Sequence, residues 1–118
     1  MNPSRIVRSR ISRLKGAIPK KQKGRITMAV AVVEDRTGKR LLVGTSEPGG
    51  YLRPGVVLRR GERIVGGIGH AEQNIVAYAQ SQQLRMIDIG ATRPICVPCQ
   101  DLIIQTGANI STPVLARP

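Results

Sequence analysis

Apolar residues recur at steps of mostly three and four along the first eighteen positions, which is the period of a helix with one buried face. They are Ile6, Val7, Ile11, Leu14 and Ile18. Pro3 and Ser4 suit a helix start, whereas Pro19 cannot continue a helix. The pattern predicts an amphipathic helix that ends before Pro19, followed by a basic connector over residues 20–24.

The next apolar segment is nearly continuous and rich in β-branched residues, from Ile26 to Glu34. Such a run is typical of a strand that is buried on both faces. Residues 35–39 have the composition of a turn, and residues 40–45 form a second apolar run. A β-hairpin is therefore predicted over residues 26–45.

Residues 46–69 interrupt this regularity with seven glycines and two prolines. Regular structure is not expected across most of the segment, although residues 56–65 suggest a short hairpin around Arg60 and Gly61. A loop of this length inside one domain usually has a function.

Helical and strand patterns alternate in the second half of the chain. The sequence predicts a helix over residues 70–83, a strand over 85–91 and a helix over 99–106 that Gly107 ends. A last strand over residues 109–115 would lie at a sheet edge because of Pro113. The order of elements predicts an α/β fold with helices layered on a sheet. We expect one domain over residues 1–118, in which 1–24 form the basic helix and connector and 25–118 the core.

The charge of the chain narrows the choice of partners. Lys and Arg number 19 against 7 Asp and Glu, which gives a net charge of +12. Solubility alone needs a charge of only about 2–8, so a polyanion is the expected partner. Nucleic acid is the first candidate, and an anionic membrane or an acidic protein inhibitor is the second. The alternative explanation of the charge is a basic surface that serves solubility alone. Neither a membrane span nor a signal peptide is recognised in the sequence.

Side chains that could ligate a metal through nitrogen or sulfur are few, because the chain has one histidine and two cysteines. They occur in the segments 70–72 (His-Ala-Glu) and 96–99 (Cys-Val-Pro-Cys), each where the chain enters a predicted helix. One imidazole and two thiolates suit a tetrahedral zinc site. Because no fourth Cys or His remains, water is expected at the fourth position, with Glu72 placed to take its proton.

Two other interpretations of these residues stay open. Cys96 and Cys99 also match a thioredoxin-type redox pair at a helix start, but that interpretation gives His70 and Glu72 no role. The alternative without catalysis is a zinc-stabilised module that binds nucleic acid. A histidine with a purely structural role would be the simplest interpretation if the cysteines were absent.

The combination of His-x-Glu with a later Pro-x-Cys-x-x-Cys resembles the signature of zinc-dependent cytidine deaminases and their relatives. The resemblance extends from about Ile26 to Val114. It implies a three-layer α/β/α fold with a central mixed sheet and one zinc ion per chain. It further implies that His70, Cys96 and Cys99 hold the zinc ion and that Glu72 carries protons.

One departure from the family pattern is informative, because Pro94 precedes Cys96 by two positions rather than directly. This variant is similar to the deaminase domains at the C-termini of bacterial polymorphic toxins, and within them to the cytosine deaminases of single-stranded DNA. The resemblance implies a delivered effector domain that converts cytosine to uracil in the cytoplasm of a recipient cell, with an immunity protein as partner. RNA, double-stranded DNA and free nucleotides stay open as substrates, and the choice of cytosine over adenine rests on the resemblance alone.

Residues for substrate binding are less well marked. Tyr51 is the better candidate for stacking on a base, because Tyr78 lies well inside a predicted helix. Thr45 and Ser46, at the end of the second predicted strand, could bond sugar or base. The further candidates are Arg53, Arg93 and Ala71 for substrate binding and Arg59, Arg60 and Arg63 for phosphate contacts. The alternative for the arginines is that they are simply solvated.

Overall fold

The computed structural model describes residues 2–52 and 54–117. Within them the chain forms α1 (Pro3–Ala17), β1 (Met28–Asp35), β2 (Gly38–Thr45), β3 (Glu62–Val65), α2 (Ala71–Ser81), β4 (Arg85–Ala91), α3 (Val97–Thr106) and β5 (Asn109–Ile110). Short 3₁₀ turns occur at Lys20–Gln22 and Pro48–Gly50. None of the helices in the described ranges is both long and apolar enough to cross a membrane.

The five strands form one mixed sheet in the order β3-β2-β1-β4-β5. β1 pairs antiparallel with both β2 and β4, whereas β3 runs parallel to β2 and β5 parallel to β4. The predicted hairpin is confirmed, with Met28 opposite Thr45 and Asp35 opposite Gly38. β1 is therefore the central strand, and its pairing brings the ends of β2 and β4 to its own start.

Helices cover both faces of this sheet. Apolar residues of α1, such as Val7, Ile11 and Leu14, pack with Val30 and Val32 of β1 on one face. On the other face, α2 and α3 pack against the alternate residues of β1, which are Ala29, Ala31 and Val33. The continuous apolar run of β1 follows from this double burial. The structure is a three-layer α/β/α fold, as the sequence predicts.

Three details differ from the sequence prediction. The hairpin predicted within residues 56–65 is wrong, because β3 pairs in parallel with β2 and the preceding residues only turn into it. α3 begins at Val97 rather than Cys99, since Pro98 fits the first turn of a helix, where its missing N–H has no partner. The last predicted strand is reduced to β5 and an isolated bridge between Ile95 and Val114.

A buried ion pair ties α1 to β3. The Nε of Arg10 donates to Oε2 of Glu62 at 2.7 Å, and its terminal nitrogen donates to Oε1 at 2.9 Å and to the carbonyl of Val57 at 2.7 Å. Burial raises the pKa of Glu62, but the bonds from Arg10 and from the backbone N–H of Arg59 outweigh it and lower that pKa overall. Because the pKa is lowered in the folded state, this carboxylate stabilises the fold above its ordinary pKa of about 4.3, and the contribution is lost as the pH falls through the folded value.

Replacing one member of this pair should cost far more than replacing both. We expect Arg10→Met to lower the free energy of unfolding by about 3–5 kcal/mol, because the Glu62 carboxylate stays buried without its partner. Arg10→Met combined with Glu62→Leu should recover most of the loss. Urea denaturation at pH 7 measures both, with Arg8→Met on the exposed side of α1 as the control. Equal losses in the single and double variants would show that the pair does not act as a unit.

Candidate metal centre and adjoining pocket

The candidate site lies where the start of β1 meets the ends of β2 and β4. The backbone N–H of Thr27 donates to Oγ of Ser46 at 3.0 Å, and the N–H of Ser46 donates to the carbonyl of Thr27 at 2.9 Å. On the other side, the N–H of Thr92 donates to the carbonyl of Met28 at 2.8 Å, and the N–H of Met28 donates to Oγ1 of Thr92 at 3.0 Å. These bonds fix three chain segments side by side.

His70 is the N-cap residue of α2, and its position is set by residues of the helix itself. Its backbone N–H donates to Oε1 of Gln73 at 2.8 Å. The buried amide of Asn74 donates to the carbonyls of Thr45 and Gly69 at 3.2 Å each and accepts from the N–H of Gly69 at 3.2 Å. Asn74 thus ties the segment before His70 to the end of β2.

Both cysteines lie at the start of α3. Cys96 is its N-cap residue, and Cys99 lies in the first turn and is fully buried. Both are free thiols and form no disulfide. Because α2 and α3 lie on the same face of the sheet, their N-termini bring His70 and the two sulfurs together.

The three side chains fit a metal ion held between them. The sulfurs of Cys96 and Cys99 lie 3.6 Å and 3.4 Å from Nδ1 of His70, and all three ligand atoms lie within 4.8 Å of one another. A tetrahedral zinc site, with Zn–S of about 2.3 Å and Zn–N of about 2.0 Å, separates sulfur from nitrogen by about 3.5 Å. The geometry indicates Nδ1 as the ligating nitrogen.

The environment of Cys99 disfavours its thiolate when no cation is bound. Burial, the adjacent thiol of Cys96 and the charge of Glu72 raise the pKa of Cys99 to about 12. A thiol with this pKa stays protonated at neutral pH, although metal ligation requires the thiolate. A dication reverses the balance, because it stabilises the thiolate directly.

Glu72 lies inside the pocket that adjoins the metal cluster. It is only 3% exposed, and its Oε1 is buried with no hydrogen-bond partner among the described residues. Burial raises the pKa of this carboxyl, opposed by a backbone hydrogen bond and by the charges of His70 and Arg93. A buried carboxylate oxygen without a protein partner is costly, so Oε1 of Glu72 can accept a hydrogen bond from a molecule in the pocket.

The pocket next to this cluster has a volume of about 300 Å³. Besides His70, Glu72 and Cys96, its wall contains two cations, two hydroxyl residues and two apolar residues. These six are Arg25, Arg93, Thr27, Ser46, Pro94 and Leu115. The pocket thus combines candidate metal ligands, a buried carboxyl group, cations and apolar groups in one concave surface.

The pocket contains some of the predicted substrate residues. Ser46 and Arg93 line it. Thr45 and Ala71 adjoin it but are buried in the core, where the Thr45 carbonyl accepts from Asn74. Arg53 lies outside the described residues.

The remaining candidates lie away from this wall. Tyr51 is half-exposed in the loop after β2. Arg59 and Arg60 are exposed at the turn before β3, and Arg60 borders a separate depression. Arg63 lies 5.2 Å from the ring centre of Tyr78, a cation–π contact.

Sequence reasoning did not single out Arg25, Thr27, Pro94 and Leu115 as parts of a pocket. The predicted hairpin could have indicated Thr27, because the residue before β1 must lie beside the residue after β2. No local pattern marks Leu115, which reaches the pocket only through the tertiary fold.

No family model, curated protein or solved structure matches the chain.

Gly44 allows α2 to approach the sheet closely. A Cβ at this position would lie 2.7 Å from the carbonyl oxygen of Ala71 and 2.8 Å from a side-chain carbon of Ile75. Both belong to α2, so any larger residue must push away the helix whose start carries His70.

We expect Gly44→Ala to lower the free energy of unfolding by about 1–3 kcal/mol through overpacking and to weaken metal binding as His70 shifts. Gly16→Ala is the matched control, because nothing lies within 4 Å of its added methyl group. It should leave metal affinity unchanged. Thermal unfolding and competitive zinc titration measure the two effects, and equal behaviour of both variants would contradict this role of Gly44.

Proposed function

We propose that this protein is a zinc-dependent cytosine deaminase that acts on single-stranded DNA. The reaction hydrolyses a C–N bond of a cyclic amidine, so that cytosine and water give uracil and ammonia. The observation that carries the proposal is the convergence of His70, Cys96 and Cys99 beside the buried, partner-free oxygen of Glu72 in a pocket.

The number of protein ligands favours catalysis over a structural role. Structural zinc sites usually close with a fourth Cys or His, and no further residue of either type remains in the chain. When bound by three protein ligands, zinc supplies an activated water at neutral pH. His70 and Cys96 themselves line the pocket, so a substrate placed there would reach the metal.

Glu72 is the residue that moves protons in this proposal. Its Oε1 would take a proton from the water whose oxygen adds to C4 of the base and deliver that proton to N3. The same oxygen would then move the proton of the added hydroxyl to the amino group, so that the C4–N4 bond breaks, ammonia leaves and the oxygen remains as the carbonyl of uracil. The raised pKa of the carboxyl suits a group that must both accept and release protons.

The dimensions of the pocket favour a single base. Its volume of about 300 Å³ is at the low end of the range for ligand pockets, which is about 300–1,000 Å³. A base inside a duplex cannot reach such a site unless it leaves the stack, which costs least in a single strand.

Charge favours a polynucleotide over a free base. Arg25 and Arg93 flank the pocket, and neither forms an ion pair within the described residues. The connector before Arg25 adds three exposed lysines, Lys20, Lys21 and Lys23. Exposed cations that lead to a pocket can neutralise successive phosphates of one strand.

The choice of cytosine, the toxin context and the immunity partner are part of the same proposal and rest on the resemblance of the motifs. A delivered DNA deaminase would endanger its producer, and an acidic immunity protein would complement the positive charge around the pocket.

Removing the carboxylate should stop turnover without removing the metal. We expect Glu72→Gln to lower kcat on single-stranded DNA by at least about 10²–10⁴-fold, the usual contribution of a general acid–base group. Zinc content and thermal stability should be retained. Glu34→Gln, which alters a surface acid at the end of β1 far from the pocket, is the control. Retained deamination by the Glu72 variant would remove its assignment as the proton carrier.

The substrate class is tested by comparing uracil formation on matched substrates. We expect single-stranded DNA to be deaminated faster than duplex DNA, RNA of the same sequence or free cytidine. Faster deamination of another of these substrates would retain the deaminase proposal and change only its substrate. If none of them is deaminated and the protein binds nucleic acid with a steep salt dependence, a nucleic-acid-binding module would be the better proposal.

A further inference from the structure

The C-terminal segment after β5 forms part of the pocket wall. It is joined to the residue directly before Cys96, because the N–H of Leu115 donates to the carbonyl of Ile95 at 2.9 Å and the N–H of Ile95 donates to that of Pro113 at 3.1 Å. A parallel bridge between Ile95 and Val114 accompanies these bonds. The segment thus follows the loop that carries the first cysteine.

A buried glutamine fixes the segment to α3. Nε2 of Gln100 donates to the carbonyls of Ile95 and Leu115, each at 2.8 Å. Both hydrogens of the amide are therefore used, and Gln100 itself is buried. Two further side-chain links hold the segment. The N–H of Ala91 donates to Oγ1 of Thr112 at 2.9 Å, and Arg117 pairs with Asp101, but this ion pair is exposed on both sides and such pairs contribute little. Gln100 is the side chain that bonds directly to Leu115.

Val114 and Leu115 differ in the surface to which they contribute. The two are 45% and 49% exposed, but only Leu115 lines the pocket. No aromatic residue belongs to that wall, whose apolar part consists of Pro94 and Leu115. Proteins usually hold an unstacked base against an aromatic or apolar side chain, so an aliphatic contact must do so here.

We propose that Leu115 packs against the substrate base and that Gln100 is the positioning residue that holds it there. This inference rests on the proposed function, which it deepens by naming the contact for the base. Leu115 and the segment that carries it then contribute to the substrate site.

Binding can be measured without turnover in the Glu72→Gln background. The probes are a single-stranded DNA oligonucleotide with one cytosine and the same oligonucleotide with an abasic site at that position. The Kd of the abasic oligonucleotide divided by the Kd of the cytosine oligonucleotide reports contacts to the base, because contacts to the phosphates affect both values equally. Leu115→Ala should reduce this ratio by about three- to tenfold, since it removes three carbons from a partly exposed contact. Val114→Ala, the matched control, should leave it unchanged.

Gln100 is tested by combining variants. Gln100→Leu should reduce the same ratio, and Gln100→Leu with Leu115→Ala should be no worse than Leu115→Ala alone, because both act through one contact. Zinc content and thermal unfolding, measured on every variant, separate this effect from loss of the fold. Losses in the ratio that multiply in the double variant would assign Gln100 a separate role and overturn the positioning.

The outcomes distinguish this inference from the proposed function. If the wild-type protein deaminates DNA but Leu115→Ala has the same ratio as Val114→Ala, the contact of Leu115 with the base is refuted and the deaminase function is retained. If the wild-type protein deaminates none of the substrates but Leu115→Ala still lowers the ratio, the contact with the base is retained and the deaminase function is refuted. Equal affinity of the Glu72→Gln protein for both oligonucleotides would also refute the contact of Leu115 with the base.

Discussion

The antiparallel pairing of β1 with both of its neighbours is the constraint on which the site depends. It brings the ends of β2 and β4 to the start of β1, where backbone and hydroxyl groups join Ser46 to Thr27 and Thr92 to Met28. The chain enters α3 shortly after β4, and Asn74 ties the start of α2 to the end of β2. The ligands therefore meet because the sheet leaves both helix starts at one edge.

Most acidic side chains of the described residues are either paired with cations or buried. Among the described acids, Glu34, Asp35 and Asp101 are paired with cations at the surface, Glu62 is paired in the interior and Asp88 is buried. Glu72 is the acid that lines the pocket. None of the ion pairs among the described residues includes Arg25 or Arg93, which line the same pocket. Because Arg10 is paired with Glu62 in the interior, it does not contribute to the cationic surface of α1.

Much of this arrangement was predictable from the sequence. The double burial of β1, the hairpin with β2 and the use of His70, Cys96 and Cys99 as one cluster all follow from local patterns and from the scarcity of ligands. The metal-binding distance between these residues confirms that they can act together. Zinc, deamination and the substrate stay predictions.

Other features were not predictable, because they depend on contacts between distant parts of the chain. Arg10 looks like any other arginine of α1, yet it pairs with Glu62 across the fold. Asn74 and Gln100 are polar residues of predicted helices, and nothing local shows that their amides fasten the segments beside the site. Leu115 lies in a segment without regular structure, where periodicity carries no information.

The central claim is that the lone imidazole and both thiols hold one zinc ion and leave a position open. X-ray absorption spectroscopy of the reduced, zinc-loaded protein tests it most directly. We expect one zinc ion per chain with two sulfur ligands at about 2.3 Å and two nitrogen or oxygen ligands at about 2.0–2.1 Å. Failure of the reduced protein to retain zinc, or a zinc ion without sulfur ligands, would contradict the account.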